Sequence, residues 1–337
     1  MYVTLEPCAH QGRQPPCVEA VLEAGIGRVV IASDDPSEKA AGRGPGILRD
    51  GGVEVVFAAG SEAASARLLN QPFRKHARTG LPLVTLKLAM SLDGRTSTAP
   101  GDSPWISGEL SRALVHRWRA ESDAIAVGIG TVLADDPLLT ARTVDPKSGS
   151  PLYPYASQRT AASAERQPLR IVFDSQARLP LDSQLLATLD RSPILVVTGP
   201  EADPTRLSAL HDAGAETLVA SGASRRDRIS STLADLGRRG ITSLFLEGGQ
   251  TLAAAFAFAD QLDESRTFVA PVLLGQATPA SRAGGAVAGV PRGAEAPLAA
   301  STVGDAAATG PARLVALSSS IESVGEDVLI TARYKEW

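Results

Sequence analysis

The sequence predicts an α/β protein made of two successive units, each a mostly parallel sheet covered by helices. Three observations carry this. Apolar runs rich in β-branched residues alternate with stretches of helical apolar spacing along most of the chain. A length of 337 residues exceeds the roughly 250–300 residues at which single hydrophobic cores stop growing. A hydrophobic fraction of 44%, a charged fraction of 21% and a mean hydropathy of +0.02 are those of an ordinary globular protein.

The elements follow in order. Residues 2–5 (YVTL) read as a strand, 16–24 (PCVEAVLEA) as a helix stopped by Gly25, and 28–32 (RVVIA) as a buried strand. After the loop DDPSEKAAGRGPG come a short helix, a turn at Gly51-Gly52 and a third strand, VEVVFA. One connecting helix is predicted from Ser61 to Arg78, and the first unit is expected to occupy residues 1–80. The second unit, 81–337, opens with LVTLKLAMSL at Leu83. Its further strands are AIAVGIG (124–130), LRIVFD (169–174), PILVVTG (193–199), ETLVAS (216–221), SLFLEGG (243–249), TFVAPVLLG (267–275) and VLITARY (328–334). Residues 145–167 and the Ala/Gly/Pro-rich stretch 276–312 lack this pattern and read as surface loops.

Net charge is −4 with no dense Lys/Arg block, which argues against a nucleic-acid binder. There is no run of about 18 apolar residues, and the first residues carry Glu6, Pro7 and His10 in place of a basic and then an apolar region. The expectation is a cytoplasmic protein with no membrane partner, acting on a small molecule.

The two cysteines, Cys8 and Cys17, fall in TLEPCAHQGRQPPC, each after a proline and each expected at a helix start. A helix amino terminus favours the thiolate, so two such residues suit one zinc ion. The string resembles the zinc-dependent nucleobase deaminases, and its spacing is similar to that of the riboflavin-pathway deaminase. The resemblance implies a zinc-bound water attacking an amino-bearing aromatic carbon, with Cys8 and Cys17 as two of three protein ligands. The family's third ligand and its proton-shuttling glutamate lie in an H-x-E motif upstream of this string. None of His10, His76, His116 or His211 begins such a motif, and neither His10 nor Glu6 is a convincing substitute. The zinc site is therefore expected to be incomplete and the deaminase inactive, the preferred explanation being a start assigned inside a longer reading frame.

From residue 81 onward the strings LKLAMSLDGRTS, GDSPWISG, RAESDAIAVGIGTVLADDPLLTAR, IVFDS and LFLEGG, in that order, resemble the dihydrofolate-reductase-like reductase of the same pathway. The resemblance implies a cytidine-deaminase-like unit followed by a dihydrofolate-reductase-like unit. It also implies NADPH as cofactor, a phosphoribosylamino-pyrimidine as substrate, and a homo-oligomer formed through the reductase unit.

Each implied site residue also has a plain structural reading. Lys87 stands amid apolar neighbours on a strand, where a cation is poorly solvated unless it meets a ligand or carboxylate, and the resemblance implies a catalytic contact to the ribose. Its alternative is a strand lysine whose head reaches water. Asp93 in SLDG reads as a turn residue. Ser103 is implied for substrate and Trp105 for cofactor, in a loop before a helix capped by Ser107; Trp105 reads equally as core. Arg119, Leu139 and Arg142 match substrate positions, the arginines suiting phosphate contacts. Unaided they read as solvated surface. Ala89, Thr131, Asp135 and Ser175 are implied for the cofactor, with Asp135 near the reacting end, although Asp135-Asp136-Pro137 also reads as a helix stop. Glu247 is implied for the pyrimidine, and Gly249, Gln250 and Thr251 for the cofactor pyrophosphate at a helix start. Those glycines serve tight packing equally well. Two other functions stay open: a reductase of this fold for another pterin or pyrimidine, and a non-catalytic nucleotide-binding remnant.

Overall fold

The computed structural model describes residues 1–12, 14–40, 42–97, 105–142, 167–275 and 314–337. Strands β1 (Tyr2–Val3), β2 (Arg28–Ile31) and β3 (Glu54–Phe57) form a parallel sheet in the order β1-β2-β3. Helices α1 (Cys17–Glu23) and α2 (Arg43–Asp50) accompany it, with Val18, Val21, Val29, Ile31 and Leu48 as its core.

The segment expected to be one helix from Ser61 to Arg78 is two, α3 (Gly60–Leu69) and α4 (Gln71–Thr79). The break is at Asn70, directly before the first turn that carries Pro72. A proline has no N–H to continue an earlier helix and is tolerated only in the first turn of a new one.

Past Gly80 the chain enters a nine-stranded sheet ordered β11-β12-β10-β4-β9-β5-β6-β7-β8. These strands are β4 (Leu83–Ser91), β5 (Ala124–Gly128), β6 (Leu169–Phe173), β7 (Ile194–Thr198), β8 (Glu216–Val219), β9 (Ser243–Leu246), β10 (Glu264–Ala270), β11 (Ser318–Val324) and β12 (Asp327–Arg333). From β10 to β8 all pairings are parallel, as the near-continuous apolar runs require. An antiparallel hairpin, β11-β12, closes one side. Strand β11 was not expected, because SSSIESV carries only two apolar residues, Ile321 and Val324, and is exposed almost throughout.

The connecting helices are α5 (Glu109–Glu121), α6 (Ile129–Asp135), α7 (Gln184–Ala187), α8 (Pro204–Asp212), α9 (Arg225–Arg238) and α10 (Gln250–Phe258). Alternate residues of a strand serve opposite cores: Ile125 and Val127 pack on one face, Ala124 and Ala126 on the other. The helix after GDSPWISG is capped by Gly108, not Ser107. Asp327 accepts from the Gly108 N–H (2.8 Å) and the Ser111 hydroxyl (2.5 Å), so a distant carboxylate does the work assigned to a local serine. Asp93 holds its expected turn, with Gly94 at φ 79°, and its carboxylate also accepts from the Leu274 and Gly275 N–H groups. The loops expected at 145–167 and 276–312 lie, but for Gln167, outside the described residues.

Candidate active site at the strand tips

The β4-β9 register pairs Leu86 with Leu246, so the next rung sets Lys87 beside Glu247 at the carboxyl tip of β9. Above them α5 is fixed by Trp118, which stacks on Phe268 (5.5 Å between centroids) and meets Phe245 edge-on (5.9 Å). That packing leaves the neighbouring Arg119 over the strand ends. Its Nε and Nη2 donate to the two Glu247 oxygens at 2.6 and 2.8 Å, a bidentate pair, and its Nη1 donates to the Thr140 carbonyl at 3.2 Å. The side chains of this pair are 14% and 10% exposed.

The electrostatics follow from that burial. Glu247 is desolvated, yet Arg119 and Lys87 hold its carboxyl below the usual carboxylate range. Desolvation pushes the Lys87 ammonium down, opposed by Glu247. His116 is pushed down to about 3, first by burial and then by the charges of Arg119 and Arg142. The imidazole is therefore neutral, and its buried Nδ1 has no hydrogen-bond partner among the described residues. His116 is the residue that sequence reasoning missed, although it precedes Arg119 by three positions and so shares its helix face.

Leu139 is buried with a left-handed backbone, φ 51°, following Asp136 at φ 38°. This strained turn after α6 aims the Leu138 carbonyl at Arg170 (3.2 Å) and the Thr140 carbonyl at Arg119.

Beside the cluster a cleft of about 930 Å³ runs along the carboxyl ends of β5, β6, β7 and β8. Thr131, Asp135, Ser175, Gly249 and Thr251 line it. Helix α10 begins at its wall with no side-chain cap on Gly249, which leaves first-turn N–H groups for an anion. Size, position and donors fit a dinucleotide. Ala89, Trp105 and Gln250 do not line it: Ala89 is half-buried on β4 and packs against the core, Gln250 donates to Thr96 (3.3 Å), and Trp105 is 60% exposed under the Arg112 guanidinium. Ser103 lies outside the described residues.

In the amino-terminal sheet unit the two cysteine sulfurs are 3.3 Å apart. Only Cys17 starts a helix; Cys8 sits in a loop. That loop lies so close to α2 that a Cβ on Gly44 would fall 1.9 Å from the Pro7 carbonyl. The expectation of a lowered thiol is corrected for Cys17: its hydrogen bond with Cys8 holds it above the usual range. Glu6 spends a carboxylate oxygen on the Gly42 N–H (2.9 Å). No group of three His, Cys, Asp or Glu side chains that could hold a metal occurs among the described residues. Two sulfurs do not fit a hydrolytic zinc centre, and no step is derived through one.

A family model for the RibD C-terminal domain matches residues 82–294. The chain belongs to the RibD family. Riboflavin biosynthesis protein RibD of Actinobacillus pleuropneumoniae is 38% identical over 274 residues, covering 81% of this chain and 67% of that protein. RibD of Escherichia coli is 38% identical over 284 residues, covering 81% and 71%. Among solved structures, Acinetobacter baumannii RibD superposes with a TM-score of 0.72 at 32% identity, over 99% of this chain and 80% of that one. A diaminohydroxyphosphoribosylaminopyrimidine deaminase/5-amino-6-(5-phosphoribosylamino)uracil reductase of Thermotoga maritima gives 0.68 at 27% identity, over 99% and 79%. The solved RibD chains cover both sheets of this protein. No helix among the described residues is long and apolar enough to cross a membrane.

Proposed function

We propose that this RibD-family chain is an NADP-dependent oxidoreductase of riboflavin biosynthesis that reduces 5-amino-6-(5-phosphoribosylamino)uracil to 5-amino-6-(5-phosphoribitylamino)uracil. The observation that carries this reading is the convergence of Lys87, Arg119, Arg142, Glu247 and a neutral His116 at the strand tips beside a dinucleotide-sized cleft. Three cations against one carboxylate in a water-poor site suit a phosphorylated sugar.

NADPH, when bound, supplies the hydride that reaches C1 of the ribose. The protein's own part is orientation and proton supply. Glu247, fixed by both arms of Arg119, accepts from the pyrimidine N–H groups. Lys87, with its ammonium held below the ordinary lysine range, gives a proton to the departing ring oxygen more readily than a solvated lysine does. Leu139 and Arg142 border the sugar phosphate. Thr131, Ser175, Gly249 and Thr251 hold the cofactor, with Asp135 near its reacting end. Domain limits of 1–80 and 81–337 and a homo-oligomer formed through the larger unit belong to the same proposal. Zinc is assigned only to a protein that also carries the H-x-E segment.

The test is NADPH oxidation with the phosphoribosylamino-uracil, run beside Lys87→Met and Glu247→Gln. Turnover in the parent and its loss in both variants are expected. A parent that is folded yet oxidises NADPH no faster with substrate than without it refutes the reading.

A further inference from the structure

Between the end of α6 at Asp135 and Arg142 the chain carries no regular structure, yet its backbone groups are held one after another by residues from elsewhere. Gln184, the first residue of α7, meets Asp136 twice: its backbone N–H donates to the carboxylate at 2.9 Å and its side-chain amide to the carbonyl at 2.7 Å. The Arg170 guanidinium on β6 donates to the Leu138 carbonyl at 3.2 Å. The Thr140 carbonyl accepts from Arg119 at 3.2 Å. Gln167, just before β6, accepts from the Ala141 N–H at 2.8 Å and donates back to the Ala141 carbonyl at 3.0 Å. Side chains from α5, β6 and α7 thus clamp one short segment.

Core packing alone does not explain this clamp. Arg170 is fully buried in a strand whose other side chains are apolar, where a leucine or valine would serve the core. Asp190 supports its charge without a hydrogen bond, and burial pushes the guanidinium down to about 10. Its Nε has no partner among the described residues. What the residue gathers is carbonyls: besides Leu138, its terminal nitrogens reach the Thr188 carbonyl (3.0 Å) and hydroxyl (2.8 Å) and the Ser192 carbonyl. A planar fork joins two loops at once, which the point charge of a lysine does not. The segment so held is strained, with Asp136 and Leu139 at positive φ, and such backbone persists only where its surroundings over-determine it.

None of Arg170, Gln184 and Gln167 lines the cleft. What they fix is the far side of Arg119: with the Thr140 carbonyl in place on Nη1, the guanidinium plane is set and its other two donors meet Glu247. We propose that Arg170, Gln184 and Gln167 are positioning residues for the reduction, holding residues 136–142 in the backbone path that orients Arg119 and, through it, Glu247. This rests on the reductase reading of the site. When the segment slackens, Arg119 loses its third acceptor and the carboxylate that meets the pyrimidine turns with it, while the cleft along β6, β7 and β8 is left as it was.

Arg170 is too deeply buried for its replacement to separate positioning from folding, so the exposed Gln184 is the site of the test. Gln184→Ala removes the side-chain hydrogen bond at Asp136 alone. It is expected to speed hydrogen exchange at the Ala141 amide, at the other end of the segment, with the melting temperature unchanged. With NADPH and phosphoribosylamino-uracil, kcat/KM for the pyrimidine is expected to fall about threefold to tenfold, as for one neutral hydrogen bond, while calorimetric NADPH binding stays at the parent value. Gln184→Lys, which returns a donor to the Asp136 carbonyl, is expected to restore both exchange and kinetics. Unaltered exchange at Ala141, pyrimidine kinetics equal to the parent's, equal weakening of pyrimidine and NADPH, or no restoration by lysine overturns the proposal. A parent that turns over no phosphoribosylamino-uracil, but whose Ala141 exchange rises in Gln184→Ala, retains the clamp and refutes only the reaction.

Discussion

At the scale of single residues the site is a balance of buried charges, and each member has a distinct cost when changed. Arg119→Ala strands Glu247, which is 10% exposed, without its bidentate partner. Removing one partner of a buried pair costs about 3–5 kcal/mol, so the variant should melt well below the parent, while Arg119→Ala/Glu247→Gln should recover much of that loss without recovering turnover. Thermal unfolding of the three proteins checks this. His116 makes a pH prediction with a definite sign. Its folded pKa is pushed down to about 3 from 6.5, so below pH 6.5 the unfolded chain takes up a proton that the folded one refuses. Stability contributed at neutral pH is then lost by up to about 1.4 kcal/mol per unit as pH falls toward 3. Glu247, whose carboxyl is held below 4.5, adds a further loss only beneath that value. Denaturant titrations between pH 7 and 5 should show a shallower decline in His116→Gln than in the parent. An identical slope contradicts the assignment.

At the scale of elements, much of the larger unit was legible because a strand buried on both faces must be apolar throughout. LRIVFD and PILVVTG fell within a residue of their true ends for that reason. Edge and interface elements were not legible: β11 is stabilised by pairing along β12 and not by its own side chains, and the α3/α4 break needed Pro72 to be weighed above helical spacing. The site was legible by motif only as separate strings. Sequence spacing could not show that Arg119 and Glu247, 128 positions apart, close on each other, nor that Ala89 would face the core. Close packing of elements was equally hidden. Gly237 sits inside α9, where alanine would ordinarily favour the helix by about 1 kcal/mol. A Cβ there would lie 1.7 Å from the Gly80 carbonyl, backbone that cannot yield cheaply. Gly237→Ala should therefore lower the melting temperature, against its helix propensity, and a rise would show that the α9–Gly80 approach is looser than the structure has it.

At the scale of the whole molecule, the small sheet and the large one are tied through α4 and the last residues of the chain. Arg74, buried on α4, donates to the Ser33 hydroxyl and to Asp34 on the small-sheet side and to the Trp337 carbonyl on the other. Lys75, one residue on, meets Asp263 at 2.6 Å with both side chains almost fully buried. Asp263 also accepts from the Val84 N–H at the start of β4 (2.7 Å) and from the Trp337 indole N–H (2.9 Å), while the Lys75 ammonium lies 5.3 Å from the indole centroid. One carboxylate thus receives a helix, a strand and the chain end. Trp337→Phe removes one hydrogen bond and keeps most of the ring; Trp337→Ala removes both and opens the Lys75–Asp263 pair to water. Because each sheet has its own apolar core, the large sheet should survive this change and the tie between the sheets should not. Calorimetry is expected to show a single transition for the parent and for Trp337→Phe, and for Trp337→Ala an earlier, separate transition together with faster proteolysis before residue 80. A single transition shifted equally in both variants would mean that the indole serves only the large unit, with the coupling carried by Arg74 alone.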